Sequence, residues 1–143
     1  IDPAIRFADL MQLPFPDGSF DGVVANHILE HVPDDRHALQ EIRRVLQPGG
    51  FALLQVPFSR QLKSTLEEPG IRDAVRQAAQ FGQRDHVRIY AFGDYLERLR
   101  GAGLSPQYIP HEDLQDLYCL AIQPGEGIMY AWNGAPGSSG AKA

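Results

Sequence analysis

Cysteine is nearly absent: Cys119 is the single one in 143 residues. An internal disulfide is therefore excluded, and a reducing, cytoplasmic setting is expected, with Cys119 read as a small buried hydrophobe before a nucleophile. No apolar run approaches the ~20 residues needed to cross a bilayer, and no signal peptide is visible, so no membrane partner is expected. Basic residues are few, 13 Lys and Arg against 18 Asp and Glu, for a net charge of −5. Without a Lys/Arg cluster, a non-specific grip on phosphate backbones is disfavoured and no nucleic-acid partner is expected. No G-x-G-x-G run occurs. Methionine is scarce too, the first being Met11 in a chain that opens Ile1-Asp2-Pro3, as a piece of a longer polypeptide would.

What remains is an ordinary globular composition, 43% apolar and 22% charged, with room for one domain and a real core. Ile5 to Asp9 is a short apolar stretch and predicts a strand. Pro14 to Ser19 is dense in turn formers and predicts a loop. Phe20 to Ala25 reads as a strand buried on both faces.

The clearest element follows. Pro33 suits a first helical position, and Asp34 and Asp35 complement a positive helix start. Ala38, Leu39, Ile42, Val45 and Leu46 recur at helical spacing, predicting a helix of about 13 residues. Arg43 and Arg44 suit its negative end, and Pro48-Gly49-Gly50 stops it. Phe51 to Val56 then predicts a second buried strand. Strand, helix and strand make a βαβ unit, hence a parallel pair with a right-handed crossover.

Beyond it, a helix is expected around Ile71–Gln80 and a loop over Phe81–Tyr90. Asp94 can cap a helix whose Tyr95, Leu96, Leu99 and Ala102 share a face, with Gly103 as its left-handed stop. Leu104–Ile109 reads as a strand, His111–Leu120 as a short helix, Gln123–Glu126 as a turn and Ile128–Trp132 as a last strand. Parallel units first and an antiparallel-looking pair last predict a mixed α/β sheet. Residues 1–132 form the expected domain and 133–143, small and flexible in composition, a tail.

The ordered series from Asp9 to Pro57, with the acidic residue before LPFPDGSFD, then HILEHV, the helix and LQPGG, resembles the central portion of class I S-adenosylmethionine-dependent methyltransferases of the type 11 kind. FGQRDHVRIY, LERLRGAGL and QPGEGIMYAW extend the likeness toward one bacterial branch. The resemblance implies a Rossmann-like mixed sheet of strand order 3-2-1-4-5-7-6. It also implies that the first two strands and the Gly-rich turn, which cradle the cofactor, lie outside this chain. The strand at Phe20–Ala25 would then keep an unpaired apolar edge, an association hazard met by a second copy of the chain or by an N-terminal segment.

By resemblance, Asp9 and Leu10 occupy the adenine-recognition position, where a carboxylate beside a backbone N–H reads the amine and ring nitrogen of adenine. Asp9 capping the following turn is the plain alternative. Asn26 and His27 end a strand at the ligand crevice, near the methionine part of the cofactor. His27 and His31 are candidate general bases for an acceptor O–H or N–H. His86 and Arg88 lie where the family places its substrate-side cover, suited to an anionic or hydroxylated small-molecule acceptor. An Asp85–Arg88 pair inside a structural loop is the plain alternative. No metal site is expected, because His27, Glu30 and His31 need further ligands and His37, His86 and His111 are scattered in sequence. Methyl transfer needs alignment more than acid–base machinery, so a missing triad does not count against it. Two other classes stay open: a non-catalytic α/β module that assembles through its bare edge, and a different doubly wound, nucleotide-binding protein.

Overall fold

The computed structural model describes residues 5–114 and 127–134. A central sheet carries β1 (Phe20–Val24), β2 (Leu46–Leu53), β6 (Leu104–Ile109) and β7 (Ile128–Asn133) in the order β1-β2-β7-β6. A small second sheet joins β3 (Phe58–Ser59), β4 (Leu66–Glu67) and β5 (Arg88–Ala91) in the order β3-β5-β4. Three helices, α1 (Asp35–Val45), α2 (Ala74–Phe81) and α3 (Phe92–Gly101), complete the described elements. β1 and β2 run parallel across α1, as the βαβ pattern requires, and β7 lies antiparallel to both β2 and β6. The mixed sheet reproduces the 4-5-7-6 half of the order implied by the resemblance.

α1 forms because Ala38, Leu39, Ile42 and Val45 make one buried stripe against the sheet. Its start is two residues later than expected, at Asp35: Asp34 is the N-cap, its carboxylate accepting the His37 N–H at 3.0 Å, and Pro33 precedes it. Its end comes early, at 11 residues, because Leu46 is already extended. Pro48 disfavours helical backbone just before it, so β2 begins within Leu46–Gly50 rather than after it. The pairing register accordingly shifts between Phe20 and Gly22. A Cβ at Gly22 would stand 2.7 Å from Cζ of the Phe51 ring on the neighbouring strand, so the ring would have to shift to admit one.

The turn-rich loop and the residue before it are fastened to α1 by two side chains. Arg44 donates to the carbonyls of Phe15 and Leu13 at 2.8 and 3.0 Å and to Asp17 at 2.8 Å, while Glu41 accepts the Leu13 N–H at 2.9 Å. A buried ionic group ties the two sheets' helices together. Asp35 and Glu67 each lie 2.8 Å from Arg98, and the Tyr90 hydroxyl donates to Asp35 at 2.8 Å.

Several expectations are corrected. Residues 5–8 form no strand, because a lone apolar segment has no ladder partner among the described residues; Phe7 is 92% exposed. β1 is not buried on both faces: none of its five residues is fully buried, and Val24 is 63% exposed. The Phe81–Tyr90 loop contains the start of β5, whose residues pair with β3 and β4. Asp94 does not cap α3. It sits in the first turn and accepts the Thr65 N–H at 2.9 Å, drawing the β4 side onto the helix. Of the His111–Leu120 helix only a single 3-10 turn at 111–114 falls within the described residues; Cys119 and the Gln123–Glu126 turn lie outside them.

Candidate functional site

The C-terminal end of β1 is built by unusual backbone. His27 has φ of 55°, the left-handed region, and is the one non-glycine residue so placed among those described. Such a conformation costs on the order of 1 kcal/mol or more for a residue with a Cβ, so surrounding contacts must enforce it. They do: the His27 N–H donates to the Gln55 carbonyl at 2.8 Å, and the Gln55 N–H donates to Asn26 Oδ1 at 3.3 Å. Asn26 thereby joins the ends of β1 and β2, while the His27 side chain stays 55% exposed.

Asp9 and Leu10 lie across from this end. The Asp9 carboxylate accepts the Met11 N–H at 2.9 Å, and its carbonyl accepts the Gln12 N–H at 3.0 Å, so Asp9 shapes a tight turn. Both residues line an open cavity of about 750 Å³ that runs along the bare side of β1. Its walls are mainly apolar, with Met11, Val24, Ile28 and Val32, and His31 joins them.

The segment after β1 is held by Arg88. Its Nη1 donates to the Leu29 and Val32 carbonyls and its Nη2 to Pro33, at 2.5, 2.6 and 3.0 Å, while Nε donates to Glu67 at 3.2 Å. Arg88 is only 1% exposed. The expectation that its guanidinium meets an acceptor is corrected, because every nitrogen is turned inward to protein oxygens. The Asp85–Arg88 pair is absent as well; Asp85 lies beside His31 instead, 3.5 Å from Nδ1. Arg88 acts as a clamp on both sides of Glu30 and His31, and the Val87 N–H adds a bond to the Glu30 carbonyl at 2.9 Å.

This clamp brings His86 to His31, their rings edge to face at 4.7 Å between centroids. The histidines that look scattered in the sequence are thus partly gathered by the fold. His86 is buried, and its imidazole is held below the usual range by that burial first and by the charge of His31 second. Sequence reasoning missed the pairing because the 29–33 and 86–88 segments meet through carbonyl bonds that leave no periodic signature.

Known proteins agree with this architecture. Residues 2–54 match a family model described as a methyltransferase domain. The 27-O-demethylrifamycin SV methyltransferase of Amycolatopsis mediterranei is 38% identical over 106 residues, 71% of this chain and 35% of that protein. A protein of Mycolicibacterium smegmatis named as a probable S-adenosylmethionine-dependent methyltransferase is 43% identical over 105 residues, 71% of this chain and 40% of its own length. The chain thus spans well under half of these curated relatives. Among solved structures, the 4+2 cyclase SpnF superposes with a TM-score of 0.61 at 22% identity, over 90% of this chain and 56% of that one. The 1,6-didemethyltoxoflavin-N1-methyltransferase of Burkholderia thailandensis gives 0.57 at 19% identity, over 88% and 48%. These two likenesses show the fold. Matched motifs, curated relatives and sheet order together make the chain similar to class I S-adenosylmethionine-dependent methyltransferases.

Proposed function

We propose that this chain forms the adenine side and acceptor side of a site for S-adenosylmethionine-dependent methyl transfer to a small molecule. The supporting observation is the convergence of Asp9, Leu10 and His31 on one apolar cavity beside the end of β1. In this reading the Asp9 carboxylate and the Leu10 backbone take the adenine edge, and Met11 and Ile28 sandwich its ring. Asn26 and His27 approach the methionine part from the end of β1. The cofactor supplies a methyl group already activated on a sulfonium. The residues here orient the acceptor, exclude water and remove its proton.

His27 serves as the base, its ring being the more exposed of the two candidates; His31, 34% exposed, is the second. His86 supports the acceptor side from behind His31, and Arg88 acts as a positioning residue. Calorimetric titration with S-adenosylhomocysteine tests the reading. Binding that Asp9→Ala weakens at least tenfold is expected; no heat of binding at millimolar ligand overturns it.

A second reading rests on the bare edge of β1, where Val24 and Phe7 are exposed. A second copy of the chain, or residues of a longer protein, would cover this edge, and the domain would assemble through it. Light scattering decides: a concentration-independent monomer rules out self-assembly.

A further inference from the structure

Behind His31 lies a group that neither the adenine side nor the acceptor side uses. Glu30 is 1% exposed, and neither carboxylate oxygen has a hydrogen-bond partner among the described residues. A buried carboxylate left that way is costly, because its desolvation is not repaid by donors. His27 Nδ1 stands 3.4 Å from Oε1 and His31 Nε2 stands 4.0 Å from it, and neither is aligned as a hydrogen bond.

The imidazole of His31 is already oriented from its far side. His31 Nδ1 lies 3.3 Å from the Asp85 carbonyl, which fixes the ring and leaves Nε2 facing Glu30. His86 is buried and meets the His31 ring edge to face. One ring nitrogen bound to a carbonyl and the other turned toward a carboxylate is the arrangement metal-ligating histidines adopt. One ligand atom each from Glu30, His31 and His86 falls within 4.8 Å of the other two.

We propose that Glu30, His31 and His86 form a binding site for a divalent transition-metal ion of the zinc type. Two imidazoles and one carboxylate are a borderline donor set that suits zinc, with a fourth position left for water or ligand. Bonds of about 2.0–2.1 Å in a tetrahedron put ligand atoms about 3.4 Å apart, so the cluster closes by side-chain rotation of roughly 1 Å. The ion neutralises the buried Glu30 charge, which no guanidinium in the described residues does. His31 also borders the cavity. The backbone here is already rigid, since Arg88 and the Val87 N–H clamp the carbonyls around Glu30. The site shares His31 and His86 with the acceptor side proposed above, and its test is read by metal binding, without a methyl-transfer assay.

The test uses the purified chain, stripped with a chelator and titrated with Co2+, then with Zn2+ as competitor. One equivalent of Co2+ is expected to give the intense visible bands of a tetrahedral ion, displaced by Zn2+. Proton NMR of the cobalt form is expected to show two hyperfine-shifted imidazole N–H signals in the unsubstituted chain. Glu30→Gln and His86→Ala are each expected to weaken binding tenfold or more, with folding checked by circular dichroism. No stoichiometric cobalt spectrum overturns the proposal. So does a cobalt spectrum without imidazole signals, such as the thiolate charge-transfer band that Cys119 would give, and so does affinity unchanged in folded Glu30→Gln.

Discussion

Arg98 Nη1 donates to both oxygens of the Asp35 carboxylate at 2.8 Å, and the two side chains are buried together between α1 and α3. Asp35 is thus a core ion in a position that, on sequence grounds, only sweetens a helix start. Removing Asp35 leaves the buried Arg98 paired with Glu67 alone and takes away the acceptor of the Tyr90 hydroxyl. Asp35→Leu is expected to destabilise the chain by about 3–5 kcal/mol. Urea denaturation followed by circular dichroism checks it, and the double variant with Arg98→Met is expected to lose less than the two single losses combined.

The β1–β2 contact sets a second expectation. The Phe51 ring occupies the space a side chain at Gly22 would need, so Gly22→Ala is expected to cost about 1–3 kcal/mol by overpacking. Adding Phe51→Leu to that variant should recover part of the loss. The comparison of denaturation midpoints with and without Phe51→Leu is the check.

Acid sensitivity follows from two carboxylates held below their usual range. Hydrogen bonds from Arg44 lower Glu41 from 4.5 to about 2, and hydrogen bonds from Arg98 lower Glu67. Because the folded values are depressed, the stability these groups contribute is fully present above their unfolded value and is lost as pH falls through the folded one. Glu41→Gln is therefore expected to melt below the parent at pH 7. The gap should narrow between about pH 4.5 and pH 2. Melting temperatures of both proteins across that range settle the sign.

The backbone at His27 separates conformation from chemistry. With φ of 55° enforced, His27→Gly is expected to be more stable than His27→Ala by about 1 kcal/mol. Both lose the imidazole, so with His27 as the proposed base methyl transfer is expected to fall in both alike. Thermal melts and a methyl-transfer assay on the same pair of variants make the distinction.

The βαβ unit and the C-terminal antiparallel pair were legible because their residues alternate or recur every turn, and the 9–57 motif series identified their order. α1 needed only its apolar stripe. β3, β4 and β5 were not legible: two-residue pairings have no period, and Arg88 in β5 looks in sequence like any loop cation. The same holds for the site. His27 at a strand end and Asp9 before a turn can be read from neighbours in the chain. The meeting of His86 with His31 cannot, since it is set by a guanidinium bonding backbone carbonyls more than fifty residues away.

The place of β7 in the sheet has a consequence for biosynthesis. The last described strand lies between β2 and β6, so the two earlier strands have no ladder toward each other until residues 128–133 are made. On the ribosome the nascent sheet must wait, split in two, with β1–β2 on one side and β6 on the other. Pairing across such sequence distances is slow. The final strand thus acts as a keystone, and a nascent chain stalled before Ile128 should be the species that chaperones engage.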